Sequence, residues 1–452
     1  MVSIWELNRR TQTGPIVSEK EFLVKTLLPR AEELAKEYGV VCDPDELIPT
    51  DLGVGKAVFN AALAYLEEKG LRCSDTSRVI KFTRREIKER IRSMPGKMEL
   101  GTGTERVTLR HREIGDKNPA INMPGPYGQD FSTEELYLKV HQSYAQEPVD
   151  GIYSGCLTFV KGRRVKIGTP DEYHATAVAA RLLREAVRRA GRADMPINFE
   201  CVAMTDKAFP AIAIPGGARR TDIWLGQPVY PCSTVKLTTY NKVAFVVSHG
   251  MPFTGGSTAF LHGYSGGPES TAIVATADSI GALMVDGNYA GIVLNVEALR
   301  RGWLREMTWC GNAARLALSN TPTIMRAGAG GGSFGWEMGF YRSAYSRLAS
   351  EASAVGLVPS SGAGLYARWA CEVGKAVTGM SLSDTNELMG ILRKKFDFSE
   401  YEAKLARAGA RAGLSKEFCE CYDMKTLTPS KELLEMYHKA RKELEDLGIP
   451  LQ

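Results

Sequence analysis

The sequence predicts an α/β protein of the (β/α)8 barrel (TIM barrel) class, with a helical and hairpin extension ahead of the barrel and helices after it. Three observations carry this. From residue 150 onward, seven short apolar runs alternate with segments of helical periodicity, and 211–214 offers an eighth run; so many strand-helix units fill the roughly 250 residues that such a barrel needs. No Gly-x-Gly-x-x-Gly turn follows the first run, 151–159, as an open dinucleotide-binding sheet would require. Polar residues end several apolar segments just before glycine, and in α/β folds chemistry sits at the carboxyl ends of strands. The expected divisions are 1–149 for the extension, 150–380 for the barrel and 381–452 for the closing helices.

The elements follow in order. Ser18-Glu-Lys-Glu21 is a capping box, and Phe22, Leu23, Leu27, Leu28, Ala31, Leu34 and Ala35 keep helical spacing up to Tyr38-Gly39, with Pro29 expected to kink the helix. A second helix fits 53–69, and Thr83-Arg-Arg-Glu86 opens a third. Period-two alternation over 107–114, between glycine turns, argues for a hairpin that caps one end of the barrel. Strands are expected at 151–159, 195–202, 243–248, 258–262, 291–296, 323–326 and 357–360. Helices are expected at 171–190, 269–284, 304–318, 336–354 and 365–377. Near the C-terminus, Leu433, Leu434, Tyr437, Ala440 and Leu444 line one helical face, stopped by Gly448-Ile-Pro450.

Composition excludes several classes. With 452 residues the chain can bury a large core, and 57 Lys+Arg against 52 Asp+Glu leave a net charge of +5 without a long basic tract, which argues against nucleic acid. The nine cysteines form no CxxC pair and no metal-ligand spacing, so reduced thiols, no bound metal and a cytoplasmic setting are expected. No stretch has the length of a membrane span, and the charged N-terminus lacks the apolar core of a signal peptide.

The stretch 195–267 gathers the candidate chemistry. Asn198 sits in a short apolar run, where it either bonds a substrate or satisfies a neighbouring backbone group. His249 and His262 are candidate bases, and Glu200 is a candidate acid. Arg326-Ala-Gly-Ala-Gly-Gly-Gly-Ser-Phe334 follows an expected strand and precedes an expected helix, but lacks the Gly-Lys-Ser/Thr ending of a phosphate loop. It reads as a turn or as a surface kept flat for something large.

Several phrases, in order along the chain, resemble the monomethylamine:corrinoid methyltransferases: Ile48-Pro-Thr-Asp51, Leu100-Gly-Thr-Gly103, Gly115-Asp-Lys117, Gly263-Tyr-Ser-Gly-Gly267, Cys421-Tyr-Asp-Met-Lys-Thr426 and Ala440-Arg-Lys-Glu-Leu-Glu-Asp-Leu-Gly448. The resemblance implies a barrel enzyme, assembled as a homo-oligomer, a hexamer, that moves a methyl group from a small methylated compound to the Co(I) of a corrinoid carried by a separate protein. It implies no cofactor bound by this chain itself. The pyrrolysine of that family falls on Ile197 or Asn198, neither of which can form an imine adduct, and its neighbouring carboxylates and glutamine fall near Tyr230, Gly256 and Ala329. The expected donor is therefore a methylated amine or quaternary ammonium that is not captured covalently, and Phe199, Tyr230, Phe253, Phe260 and Tyr264 offer aromatic faces to its charge. Gly328, Gly330, Gly331 and Gly332 would face the corrinoid. Two other readings stay open: a silent homologue that only binds the corrinoid protein, and a barrel lyase or hydrolase using a residue such as Lys236.

Overall fold

Among the described residues eight positions form the barrel, seven of them strands of only two or three residues and the seventh in order a single bridging residue, Arg326. The computed structural model describes the chain except residues 1, 44, 127–128, 227, 286–288, 291–303, 327–334, 361, 363, 396–416 and 452. The barrel strands run in sequence order. Ile121–Asn122 is the first, linked to the second, Ile152–Tyr153, by Asp150 N to Asn122 O (2.9 Å) and Tyr153 N to Pro124 O (2.7 Å). The third, Ile197–Asn198, pairs with the second, and Asn198 bridges Ile223 at the start of the fourth, Trp224–Leu225. The fifth, Phe253–Gly255, and sixth, Tyr289–Ala290, extend the ring, Arg326 at the seventh position bridges Leu357, and the eighth, Leu357–Val358, closes back on the first. The first strand therefore lies upstream of residue 150.

Alternation along these strands decides what faces the barrel axis. Met123, Tyr153, Ile223, Leu225, Ile324 and Leu357 share one cluster, whereas their neighbours Ile152, Ile197, Trp224, Phe253 and Met325 belong to the cluster under the outer helices. The inner cluster also contains Leu100 and Leu109, both fully buried. They come from the antiparallel hairpin Lys97–Leu100 with Val107–Arg110. Its backbone bonds reach Asp194 and Thr221, just ahead of the third and fourth strands (3.1 and 2.9 Å). This hairpin closes the N-terminal end of the barrel.

Outer helices Glu134–Ala145, Pro170–Arg189, Leu237–His249, Pro268–Met284, Leu304–Ser319, Glu337–Ala352 and Gly364–Val377 return the chain between strands. After the third strand the return is made by the 3-10 turn Phe209–Ala213, which packs between the flanking helices; 211–214 is therefore no strand. The expected strand at 243–248 is also helical, because Tyr240, Val243 and Val246 are buried at three-residue spacing. Residues 258–262 form no strand, and 291–296 lie outside the described residues.

Every residue from Ser270 to Met284 is buried. The reason is sequence: Ala, Ile and Val surround that helix, which lies under the N-terminal helices Leu28–Glu37 and Leu52–Lys69. Pro29 deprives the ladder of a donor, and the preceding turn runs as a π-type segment, Glu21–Leu27, that leads directly into Leu28–Glu37. The capping box at Thr83 is present. The C-terminal helix Lys431–Asp446 packs on Glu337–Ala352 outside the barrel. No described helix is long and apolar enough to cross a membrane.

Candidate active site

Inside the barrel the C-terminal end is charged where the hairpin end is apolar; the buried ion pairs of the N-terminal end, Arg112–Glu351–Arg347 and Arg184–Asp222, lie beside that apolar cluster, ahead of the first and third strands. Asn198 and Arg326 project inward by the same alternation that buries Ile223, Leu225 and Ile324, and Glu200 enters the mouth from the 3-10 turn Glu200–Val202 just past the third strand. Arg326 Nη1 donates to Glu200 Oε2 (3.1 Å) and to Leu225 O (3.4 Å), with only 3% of its side chain exposed. The Tyr153 hydroxyl donates to the same Oε2. Burial pushes the Glu200 carboxyl up, and Arg326 pulls it back down. Asn198 is fully buried; its Oδ1 accepts from Glu200 N (3.1 Å) and Leu225 N (3.0 Å), and its Nδ2 has no partner among the described residues. Gly125 permits this packing: a Cβ there would lie 2.3 Å from the Tyr153 carbonyl oxygen.

Two thiols flank the cluster. Cys156, past the second strand, donates to Cys201 O (3.1 Å), and its hydrogen bond with the Cys201 thiol lowers its pKa against the opposing effect of burial. Cys201 N in turn donates to Ser154 Oγ (3.0 Å). Lys242 ties the next helix to the third connection by donating to Ala203 O (2.9 Å) and Met204 O (2.8 Å), and burial lowers its pKa.

The two connections that rim the mouth after the fourth and fifth strands are joined below by one buried carboxyl. Asp278 accepts from Ser233 N (3.2 Å) and Ser257 Oγ (3.2 Å), and from the Ser233 hydroxyl. Burial raises its pKa to about 7, against those hydrogen bonds. The fourth connection is also held from outside, since Thr234–Val235 pairs in parallel with Leu71–Cys73 of the N-terminal extension.

The structure separates the residues that the sequence grouped. Asn198 and Glu200 meet at the centre of the mouth. Tyr230 lies on the fourth connection, where Lys236 Nζ stands 4.6 Å from its ring centroid and Thr239 Oγ1 is 2.9 Å from its hydroxyl, so this chain's own ammonium already covers one ring face. Phe260, His262 and Tyr264 share the fifth connection. His262 has a left-handed backbone (φ 57°) and bonds Glu306 on the rim, and Tyr264 is 49% exposed.

His249 is not in the mouth at all. It ends helix Leu237–His249, which has returned to the opposite end of the barrel, where Gly250 lies beside the Arg220 side chain; its ring stacks on Phe245 at 5.6 Å. Phe199 and Phe253 are fully buried among the outer helices and offer no face to a ligand. Gly328, Gly330, Gly331 and Gly332 lie outside the described residues. Sequence reasoning missed Arg326 and Tyr153. Arg326 nevertheless carries the same signal as Asn198, a polar residue ending an apolar run.

Comparison with known proteins agrees with this architecture. The family model described as monomethylamine methyltransferase MtmB matches residues 2–295 and 342–449. A Methanosarcina mazei protein named monomethylamine methyltransferase MtmB is 31% identical, covering 97% of this chain and 96% of its own. A Methanosarcina acetivorans protein named MtmB2 is 30% identical over the same shares. The crystal structure of the Methanosarcina barkeri monomethylamine methyltransferase superposes with a TM-score of 0.89 at 27% identity, covering 99% of this chain and 98% of that one, as does the structure of a hydroxylamine MtmB complex.

Proposed function

The chain belongs to the monomethylamine methyltransferase MtmB family and is a methyltransferase, and from that premise we propose that it moves a methyl group from a small methylated amine or quaternary ammonium to the Co(I) of a corrinoid carried by a separate protein. The reduced cobalt supplies the nucleophile: its electron pair forms the new bond to carbon, while the pair of the broken C–N bond stays on the released amine.

The protein's part is to bind and aim the donor. The observation that carries the reading is the buried Tyr153–Glu200–Arg326 cluster at the carboxyl end of the strands. Glu200 attracts the ammonium, and its charge is shared with Arg326. That sharing matters, because the positive charge on nitrogen disappears as the methyl group leaves, and too strong a grip on the cation would stabilise the ground state more than the transition state. Asn198 occupies the inward position on the third strand, while Ile197 points toward the helices. An amide there can orient a donor by hydrogen bonding and cannot capture it covalently. Assembly as a homo-oligomer belongs to the same reading, and light scattering of the purified protein checks it.

The test mixes the protein with a reduced corrinoid protein encoded near it and a panel of methylated amines and quaternary ammoniums, and follows methyl-cobalt formation by absorbance. Methylation from at least one donor, reduced about a hundredfold by Glu200→Gln, supports the proposal. No methylation from any donor, with cobalt that a control methyltransferase can methylate, overturns it.

A further inference from the structure

Two opposite unmet needs lie side by side in the mouth. On the anionic side, among the described residues, the hydrogen bonds to the Glu200 carboxylate come from Tyr153 and Arg326 and both end on Oε2, none on Oε1, and the side chain keeps 12% exposure. On the cationic side, among the described residues Arg326 hydrogen-bonds only through Nη1, and its buried Nε has no partner there. Asn198 adds a second buried donor without a partner there, Nδ2. The two donor residues are neighbours, since Asn198 Oδ1 accepts from the N–H of Leu225 and Arg326 Nη1 donates to the C=O of the same residue.

A buried donor without a partner costs about 1–3 kcal/mol. A simple alkylammonium cannot relieve that cost, because it brings only donors and positive charge. It would also meet the guanidinium: at about 5 Å and an effective dielectric near 20, like unit charges repel by about 3 kcal/mol. A ligand carrying an oxyanion as well as the methylated nitrogen meets both needs, its ammonium on Glu200 Oε1 and its carboxylate toward Arg326 and Asn198, where charge-assisted bonds are strong.

We infer that the methyl donor is a zwitterion, an N-methylated ammonium that also carries a carboxylate. This rests on the methyl-donor reading above and narrows it. The methyl transfer itself is unchanged: the methyl carbon leaves nitrogen, the C–N electron pair stays on the released amino acid, and the carboxylate takes no part in the bond change.

Calorimetric titration of the purified protein, with no corrinoid present, uses trimethylglycine, N-methylglycine, the methyl ester of each, tetramethylammonium and methylammonium. The expected result is that at least one free acid binds about tenfold or more tightly than its ester and than the carboxylate-free cations. Arg326→Gln is expected to abolish that preference without weakening tetramethylammonium. If that variant does not fold, Asn198→Asp serves, since a carboxylate there repels the acid and spares the cation. Esters or simple cations binding as well as the acids overturn the inference, and so does failure of every acid to bind. The two proposals fail separately: a carboxylate preference without methyl-cobalt formation defeats the transfer reading alone, and methyl-cobalt formed from tetramethylammonium or methylammonium without any such preference defeats this one alone.

Discussion

The barrel interior is lined differently at its two ends. At the N-terminal end the hairpin lays Leu100 and Leu109 against Ile223, Ile324 and Leu357, and its backbone is bonded to the chain ahead of the third and fourth strands. At the C-terminal end the interior carries Asn198 on the third strand, Glu200 on the 3-10 turn after it, and Arg326 two residues beyond Ile324: a buried ion pair with donors left over. Apolar burial is favourable in itself, whereas a buried ion pair rarely repays its desolvation. Buried charge is not confined to the mouth, since Arg112–Glu351–Arg347 and Arg184–Asp222 sit ahead of the strands; what sets the mouth apart is that its ion pair lies inside the barrel, where a ligand can enter.

The sharpest break in that contrast is at Glu200. Glu200→Ala leaves Arg326 buried without its carboxylate, and chemical denaturation is expected to show a loss of about 3–5 kcal/mol. The double change Glu200→Met with Arg326→Met is expected to recover most of that stability while methyl transfer stays lost. At the other end, Leu109→Ala is expected to cost about 2–4 kcal/mol by opening a cavity, with KM and kcat of the folded enzyme unchanged.

Asp278 gives a pH-dependent comparison within the mouth. Its carboxyl rises from the ordinary 3.8 to about 7 in the folded protein. Between those values the folded chain holds a proton that the unfolded chain has released, so stability falls as pH rises. Urea unfolding of the wild type against Asp278→Asn is expected to show the wild type losing ground from about pH 4 to pH 7, then a constant difference above. A difference that stays flat throughout would mean the group titrates normally. The smallest effects separate the two histidine regions: His249→Ala should leave methyl transfer unchanged and cost under about 1 kcal/mol, while Tyr264→Ala on the rim should raise the donor KM a few-fold.

The N-terminal end was legible in the sequence and the C-terminal end only partly so, for physical reasons. The hairpin announces itself by alternation over 107–110 between glycines. The barrel strands at Ile121–Asn122, Trp224–Leu225 and Phe253–Gly255 are too short for a period of two to register. Val243 to Ser248 is rich in β-branched residues and looked like a strand, although the burial spacing of Tyr240, Val243 and Val246 is helical. Misplacing that element put His249 at the wrong end. Asn198 stands out because it ends an apolar run, and Glu200 because it is an acid beside it. Arg326 ends one too, but the glycines after it drew the reading toward a loop. That it meets Glu200 across 126 residues of chain is a fact of closure, which no local pattern holds.

The all-round burial of helix Pro268–Met284 has a consequence for synthesis. Helix Leu52–Lys69 leaves the ribosome with an apolar surface whose partners, Pro268–Met284 and Leu304–Ser319, come about 200 residues later. At typical elongation rates of roughly 5–20 residues per second, that surface waits on the order of 10–40 s for its cover. During that interval the nascent chain is a client for any chaperone that binds apolar helices.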